Sequence, residues 1–331
     1  MNRKSIFGLA AAALMATTGA FAEYPEKNIH GIIQWGAGGS TDTVTRTVSK
    51  LAEKHLGKEI VLVNRPGGTG VIATTYVNSR PADGYTLLFG AENPQLYGVM
   101  GLSDLSYSDF YPVNVLARNV PVILTHKDAP WDTMSELLEY VQANPNEVKM
   151  GSTGPGGLSF VVDNMIQGVT DFDVKSIPFD GTGPGVTALL GGHVDFMPVG
   201  LSAARENIRA GRAKALAVLS TEQIEGFENT QLITDVLPEF KQYLPWGPFY
   251  GVFVKKDAPD DVKQKLSEAF SKAVKEPEFQ NFLSNFGAIE VNLSGEEATQ
   301  WLNRWQSVTT WLLQDGGAAK VSPEELGIPR P

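Results

Sequence analysis

Three short turns combine glycine with hydroxyl residues and are the parts of this sequence best suited to hold a ligand. They read GAGGSTD at 36–42, GSTGPGG at 151–157 and DGTGPG at 180–185, each between a strand-like run and a helical pattern. Glycine lets the backbone approach a ligand closely, while the first N–H groups of a helix and its dipole attract negative charge. The turns therefore predict a binding site for an anion. Further donors are the hydroxyl groups of Ser40, Thr41, Ser152, Thr153 and Thr182.

The residues missing from these turns narrow the class of anion. A phosphate-binding P-loop needs a lysine, and the dinucleotide-binding fingerprint needs a third glycine where this chain has Thr41. One such turn alone is more often a plain connection, but three turns of the same chemistry favour binding. Because the turns also lack arginine, we predict a carboxylate held by amides and hydroxyls rather than a phosphate held by guanidinium groups.

The sequence offers no set of residues typical of an enzyme. It has no G-x-S-x-G nucleophile motif, and its four histidines are scattered without metal-ligand spacing. Asp42 and Asp195 could act as general bases, but without a nucleophile we favour structural roles for both. The chain has no cysteine, which excludes disulfides, thiolate metal sites and a cysteine nucleophile. We therefore predict no catalytic residue, no metal and no cofactor.

The charge of the chain argues against polyanionic partners. The formal net charge is −10, and the basic residues do not cluster. Nucleic acids and anionic membranes are therefore poor partners, because both require a basic surface. A small anion can still bind if the protein supplies a local positive potential.

The first 22 residues have the pattern of a secretory signal peptide. A short basic start, MNRK, precedes the apolar run IFGLAAAALMA and the small-x-small sequence AFA at 20–22. The apolar run is shorter than the roughly 20 residues that span a bilayer. We therefore expect a mature chain that starts near Glu23 and is located in the periplasm. Without a cysteine, it has no site for a lipid anchor.

Strands and helices must position the three turns, and apolar runs of strand length predict where the strands lie. Several runs are apolar throughout, which is typical of strands buried on both faces. Helical patterns alternate with them, so we predict an α/β protein with mostly parallel sheets. The runs lie at 28–35, 59–65, 85–91, 120–126, 149–152, 174–179, 193–200, 213–220 and 247–255.

Local signals mark where several helices begin and end. The helix after the first turn is expected to end at Gly57, because glycine is common at helix C-termini. Residues 259–287 read as two helices with a break near Pro277. Ser294 followed by Glu297 predicts a capping box at the start of the last long helix.

The length of the chain suggests two domains, since single cores rarely grow beyond about 250–300 residues. Two segments, 119–130 and 246–259, each contain an apolar strand and end in the same KDAP turn. They are the best places for the chain to cross between domains, which leaves a cleft for a ligand. We predict that lobe I comprises 23–123 and 249–331, and that lobe II comprises 124–248.

Several sequence blocks together carry a family resemblance. They include YPEKNIHGIIQWGAGGSTD, VNRPGGTGVIATTYVNSRPADGYTLLFG and IPFDGTGPGVTALLGGHVDFM. Over essentially the whole mature chain, they resemble the periplasmic solute-binding receptors of tripartite tricarboxylate transporters, the Bug or TctC family. This resemblance implies a two-lobed, type II-like periplasmic-binding-protein fold with two crossover strands. It also implies closure around a small organic solute, often a di- or tricarboxylate.

The resemblance further implies which turns hold the ligand. In the family, the first turn and the turn matching 151–157 bind a carboxylate through amides, hydroxyls and water. The turn after IPFD and the region HVDFMPVG border the pocket. Glu92 and Asn93 follow the strand at 85–91 and are expected on its rim. The predicted ligand-binding residues are Trp35, Gly38, Gly39, Ser40, Thr41, Asn93, Ser152, Thr153, Phe179, Asp180, Gly181, Thr182, Asp195 and Tyr250.

Two departures from the family pattern concern ligand choice. The first turn of the family commonly reads Pro-Phe-x-Pro-Gly-Gly, where this chain has Trp35 in place of the smaller ring. Trp35 could narrow the pocket or stack on the ligand. Many members have tyrosine and lysine where this chain has Phe179 and Asp180. Asp180 should disfavour an extra acidic group, or it could pair with a ligand ammonium or hydroxyl.

The sequence thus predicts a monomeric receptor that binds a small carboxylate and delivers it to the membrane subunits of a tripartite transporter. One alternative is a protein that presents its ligand to a sensor kinase. Another is an exported hydrolase that uses Ser40 or Ser152, which would need a base within hydrogen-bond reach.

Overall fold

The computed structural model describes residues 24–179 and 181–331. The predicted signal peptide and Asp180 therefore lie outside the described residues. The described chain forms two six-stranded sheets with helices packed against them, which gives the two-lobed architecture that was predicted.

The sheet of lobe I contains strands from both ends of the chain. These strands are β1 (Ile29–Ile33), β2 (Ile60–Asn64), β3 (Thr86–Gly90), β4 (Phe110–Asn119), β11 (Phe249–Lys255) and β12 (Ala288–Leu293). Their order in the sheet is β12-β4-β11-β3-β1-β2. The pairs of β1 with β2 and β3 are parallel, while β4, β11 and β12 join antiparallel.

The sheet of lobe II is built from the middle of the chain. Its strands are β5 (Pro121–His126), β6 (Lys149–Ser152), β7 (Lys175–Pro178), β8 (Phe196–Gly200), β9 (Ala213–Val218) and β10 (Gln231–Leu232). Their order is β10-β9-β5-β8-β6-β7, and β5 is antiparallel to both of its neighbours. The prediction of mostly parallel sheets was wrong, because the strands next to each crossing are antiparallel to their neighbours.

The chain crosses between the sheets at Val120 and returns between β10 and β11. Pro121 already pairs with Gly200 in the sheet of lobe II. The predicted boundary between 123 and 124 therefore falls inside β5. The sequence analysis did not predict β4 or β12. In β4, Pro112, Asn114 and Arg118 interrupt the apolar run that marks a buried strand.

Helices connect the strands and end largely where the sequence indicates. They are α1 (Ser40–Leu56), α2 (Val71–Asn78), α3 (Met134–Ala143), α4 (Leu158–Gln167), α5 (Thr182–Leu190), α6 (Leu201–Arg209), α7 (Ile233–Val236), α8 (Asp260–Lys275), α9 (Pro277–Phe286) and α10 (Gly295–Asp315). Gly57 adopts a left-handed conformation with φ 69° and ends α1, and Pro277 separates α8 from α9. The capping box predicted at Ser294 does not form; its Oγ accepts a hydrogen bond from Asn114 Nδ2 at 3.1 Å instead.

Helix α10 lies against both lobes and joins their cores. It contacts β4 of lobe I and α4 of lobe II. Trp305 stacks on Trp246 with ring centroids 5.8 Å apart, and its Nε1 donates a hydrogen bond to the Gly247 carbonyl at 3.0 Å. The same apolar cluster contains Met100 of lobe I and Met165 of lobe II. Throughout the part of the chain that the structure describes, the helices are too short or too polar to span a membrane.

Candidate ligand-binding cleft

A cavity of about 360 Å³ lies between the lobes. This volume suits a small molecule. Lobe I contributes residues 35–41 and 91–93 to its wall, and lobe II contributes residues that include 181–184. The crossing segments supply Asn119, Pro248 and Tyr250. The remaining described lining residues are Thr153, Gly157, Leu158, Gly200 and Ala203.

Four helices begin at this cavity. The residues before α1, α4, α5 and α6 are all glycines that line its wall: Gly39, Gly157, Gly181 and Gly200. At none of these four positions does a described side chain cap the helix. The first N–H groups of a helix have no partner within it, so they remain available for a ligand. Their dipoles add partial positive charge at the same place.

Asp42 fixes the shape of the first glycine-rich turn. Its carboxylate accepts hydrogen bonds from the Gly38 N–H at 2.9 Å, Arg46 Nε at 2.9 Å and Asn64 Nδ2 at 2.8 Å. Burial pushes the pKa of Asp42 upward, but these hydrogen bonds and the charge of Arg46 outweigh burial and lower that pKa below its usual value. The Asp42 side chain therefore holds the turn in place. The Gly38 N–H donates to this carboxylate and not to a ligand.

Gln34 ties this turn to the residues that follow β3. Its side chain is fully buried. Its Oε1 accepts a hydrogen bond from the Ala91 N–H at 3.0 Å, and its Nε2 donates to Thr74 Oγ1 at 2.7 Å. Residues 91–93 are thus held in a fixed position relative to the first turn.

Glu92 is an acidic residue in the wall of the cavity and is only 7% exposed. Burial raises the pKa of its carboxyl group to about 7, although hydrogen bonds from its own N–H and that of Phe249 favour the charged form. Within the described chain, its Oε2 has no hydrogen-bond partner, and neither does Oδ1 of Asn93 or of Asn119. Glu92 is also the only charged side chain among the described residues of the wall.

The two lobes touch beside the cavity. Ser40 Oγ of lobe I lies 3.3 Å from Ser202 Oγ of lobe II, at the starts of α1 and α6. Asn93 Nδ2 donates to the Gly156 carbonyl at 3.3 Å. On the first crossing, Asn119 Nδ2 donates to Ser202 Oγ at 2.8 Å and to Tyr250 OH at 2.9 Å. The cleft is therefore narrow, with polar contacts on both sides.

The structure brings most of the predicted site residues to this one cavity. Ser152, Phe179 and Asp195 are not among the residues that line it, and Asp180 lies outside the described residues. Ser152 is buried, and its Oγ accepts a hydrogen bond from the Gly154 N–H at 3.2 Å within its own turn. The predicted residues that line the cavity are Trp35, Gly38, Gly39, Ser40, Thr41, Asn93, Thr153, Gly181, Thr182 and Tyr250.

Asp195 braces the sheet of lobe II. Its Oδ2 accepts a hydrogen bond from the Lys149 N–H at 2.7 Å, and its carbonyl accepts one from Thr125 Oγ1 at 2.7 Å. Lys149 begins β6, whereas the turn that reaches the cavity follows the end of that strand. Asp195 thus lies at the opposite end of the strand from that turn.

Sequence reasoning missed several lining residues at the crossings and helix starts. Asn119 was already at the edge of the predicted crossing segment 119–130, and Gly200 ended the predicted strand at 193–200. The rule that ligands bind where strands end and helices start could have found Gly200. Leu158 and Ala203 carry no polar group, and no local signal marks them.

Comparison with known proteins shows what most of the chain resembles. A family model described as "Tripartite tricarboxylate transporter family receptor" matches residues 44–310. Among curated proteins, a UPF0065 protein of Bordetella pertussis is 28% identical over 312 residues, which cover 92% of this chain and 95% of that protein.

Two solved structures show the same fold. The periplasmic binding protein BugD superposes with a TM-score of 0.78 at 26% identity, covering 89% of this chain and 99% of BugD. MatC from Rhodopseudomonas palustris, solved with bound malate, superposes with a TM-score of 0.75 at 26% identity, covering 86% of this chain and 100% of MatC.

Proposed function

The chain belongs to the tripartite tricarboxylate transporter receptor family, and on that premise we propose that it is a periplasmic receptor for a small organic carboxylate. It captures the solute in the cleft and delivers it to the membrane subunits of a tripartite transporter. The observation that carries this proposal is the convergence of four uncapped, glycine-preceded helix starts on one cavity.

The helix starts explain how the cleft attracts an anion without lysine or arginine. Each helix N-terminus carries a partial charge of about +0.5, together with N–H groups that are not used inside the helix. The α1 start belongs to lobe I and the other three belong to lobe II. A carboxylate bound between them contacts both lobes. Binding therefore stabilises the closed arrangement over an open one.

The size of the cavity and the relatives support a small solute. A volume of about 360 Å³ has room for a compact acid. MatC, which has the same fold and is 26% identical in sequence to this chain, was solved with malate, a dicarboxylate. We propose a di- or tricarboxylate as the starting class for this receptor.

A thermal-shift screen of the mature protein tests carboxylate binding. The panel contains mono-, di- and tricarboxylates, with neutral sugars and organic cations as controls. A carboxylate at about 100 times its Kd should add roughly 2.7 kcal/mol to the free energy of unfolding. A rise in Tm with sugars or cations alone would show that the carboxylate assignment is wrong.

Delivery to a permease is tested in the host cell. Uptake of the radiolabelled ligand should fall when the gene for this receptor is deleted and return when it is restored. Normal uptake in the deletion strain would refute delivery and favour a sensing role. N-terminal sequencing of the periplasmic protein should find a start near Glu23.

A further inference from the structure

Gln34 directly follows β1 and is not itself among the residues that line the cavity. Its side chain is fully buried. Two neighbouring segments of lobe I do line the cavity: residues 35–41, which follow Gln34, and residues 91–93, which follow β3. Gln34 thus adjoins the first segment in the chain and, through its side chain, the second in space.

Side chains hold the backbone of Ala91 from two directions. Strand β3 ends at Gly90, and the next N–H, that of Ala91, donates to Gln34 Oε1 at 3.0 Å. The Ala91 carbonyl accepts a hydrogen bond from Tyr107 OH at 2.6 Å. A side chain at position 90 would collide with Gln34 Oε1 and Tyr107 OH, so the close approach of both groups requires glycine there. The place of residues 91–93 therefore depends on the Gln34 oxygen.

The other end of the Gln34 amide faces groups that need a donor. Its Nε2 donates to Thr74 Oγ1 at 2.7 Å and lies 3.4 Å from Tyr97 OH. Each of these hydroxyls has one hydrogen and already donates it to a backbone carbonyl: Thr74 to Gly70 at 3.0 Å, and Tyr97 to Thr69 at 3.0 Å. Both hydroxyls are therefore acceptors toward Gln34.

These partners require an acceptor at one end of the side chain and a donor at the other, which is what a carboxamide offers. A carboxylate of the same shape would direct an acceptor at two acceptors, and a methionine would offer no comparable hydrogen bond to either side. The family pattern described above commonly has proline at this place, and the proline side chain has neither group. The arrangement around Gln34 is therefore a feature of this chain.

We propose that Gln34 is a positioning residue for solute binding, whose carboxamide sets the spacing between the first glycine-rich turn and residues 91–93. The inference rests on the proposed function, because it concerns the same cleft. Gln34 acts without touching the solute: it holds the groups that do in place before binding. Preorganisation of this kind lowers the cost of ordering a site when the ligand arrives.

Titration calorimetry of Gln34→Glu and Gln34→Met tests the effect on binding. The probes are malate, succinate and citrate, and at about pH 8 each substitution should weaken the acid that binds the unchanged protein best by about tenfold. The control is Val274→Ala, which removes buried apolar groups from α8 in the core of lobe I and should lower stability without changing affinity. Unchanged affinity in both Gln34 variants, or an equal loss in the control, would overturn the proposal.

The pH profile separates a specific hydrogen bond from general damage. In Gln34→Glu, the introduced carboxyl group regains a donor when it is protonated. The ratio of its Kd to that of the unchanged protein should therefore fall several-fold between about pH 8 and about pH 5.5, while the ratio for Gln34→Met stays constant. The titratable groups nearby are Tyr97 and Tyr107, whose pKa values burial raises, and Glu92, which is present in all three proteins. A ratio for Gln34→Glu that does not change with pH would contradict the required donor.

Hydrogen exchange without a ligand distinguishes failure of this inference from failure of the proposed function. In Gln34→Met, the Ala91 amide and the amides of residues 36–42 should exchange about tenfold faster or more than in the unchanged protein and in Val274→Ala. Unchanged exchange would overturn the proposal even if the acids bind. If none of the three acids binds the unchanged protein, this test gives the proposed function no support, and the exchange rates alone decide whether Gln34 sets the spacing.

Discussion

Glu92 makes the stability of the unliganded receptor depend on pH. Its pKa rises from 4.5 to about 7 in the folded protein, mainly through burial. Between these values, the folded state holds a proton that the unfolded state has released. The free energy of unfolding therefore decreases as pH rises through this window, by up to about 3 kcal/mol in total.

Replacing Glu92 by glutamine should remove this pH dependence. At about pH 8, Glu92→Gln should be more stable than the unchanged protein by up to about 3 kcal/mol, and at about pH 4.5 the two should be nearly equal. Urea unfolding at both pH values measures the difference. The titratable groups facing Glu92 are Tyr107 and Tyr250, whose pKa values burial raises, to about 12 for Tyr250, so both stay neutral in this range. A difference that does not change with pH would contradict the assignment to Glu92.

Single residues were predicted from sequence where their role is local. The glycines and hydroxyls of the first turn were identified because the turn itself carries their chemistry. Asp195 was less certain because its partners, Lys149 and Thr125, are distant in sequence. The unpaired oxygen of Glu92 could not be predicted for the same reason. The burial of its carboxyl group and its proximity to the Phe249 N–H result from tertiary packing between segments that are distant in sequence.

At the scale of elements, the first turn and α1 depend on each other through Asp42. Asp42 on α1 holds the Gly38 N–H in the turn and Asn64 at the end of β2. Asp42 is 4% exposed, so its carboxylate is largely shielded from water. The orientation of the α1 start toward the cavity is thus set from inside the lobe and does not require the ligand.

Asp42→Ala should weaken both the fold and the site. Three donors lose their buried acceptor, so we expect a loss of about 1–3 kcal/mol in the free energy of unfolding and a several-fold weaker affinity for the ligand. Urea unfolding at neutral pH and calorimetry measure the two effects. The control is Lys50→Ala on the same helix, whose ion pair with Glu53 is exposed and should contribute less than about 0.5 kcal/mol. Equal effects of the two substitutions would argue against a special role for Asp42.

Elements were predicted best where local signals and packing agree. Gly57 and Pro277 end and separate helices by backbone rules that need no partner. Ser294 matches the sequence pattern of a capping box, but its hydroxyl accepts a hydrogen bond from Asn114 on β4 instead. Strand β4 was missed because polar residues interrupt its apolar run, and the two antiparallel neighbours that define it lie far along the chain.

At the scale of the whole molecule, the lobes share one apolar core through α10. Besides its tryptophan contacts, α10 accepts a hydrogen bond from Gln95 Nε2 at the Leu302 carbonyl, at 2.8 Å. Gln306 Nε2 returns a hydrogen bond to the Gln95 carbonyl at 2.9 Å. Both hydrogen bonds lie within lobe I and fix the helix there, while its contacts with α4 and Trp246 reach lobe II. The helix therefore connects the lobes in addition to the two chain crossings.

This shared core predicts a single unfolding transition. Tryptophan fluorescence and far-UV circular dichroism should give the same midpoint in urea, as expected when two lobes unfold together. Trp305→Ala should shift both signals together, with a loss of about 3–5 kcal/mol, because a large buried side chain is removed. Two separate midpoints in the unchanged protein would show that the lobes unfold independently.

The contact between Ser40 and Ser202 has a practical consequence. These two hydroxyls, 3.3 Å apart, belong to different lobes and stand where the helix starts meet beside the cavity. The chain contains no cysteine, so cysteines introduced at both positions would be its only two thiols and would face each other across the lobes. A disulfide between them would hold the two helix starts together, and its reduction would release them. The cysteine pair would thereby be a reversible lock on the relative motion of the lobes.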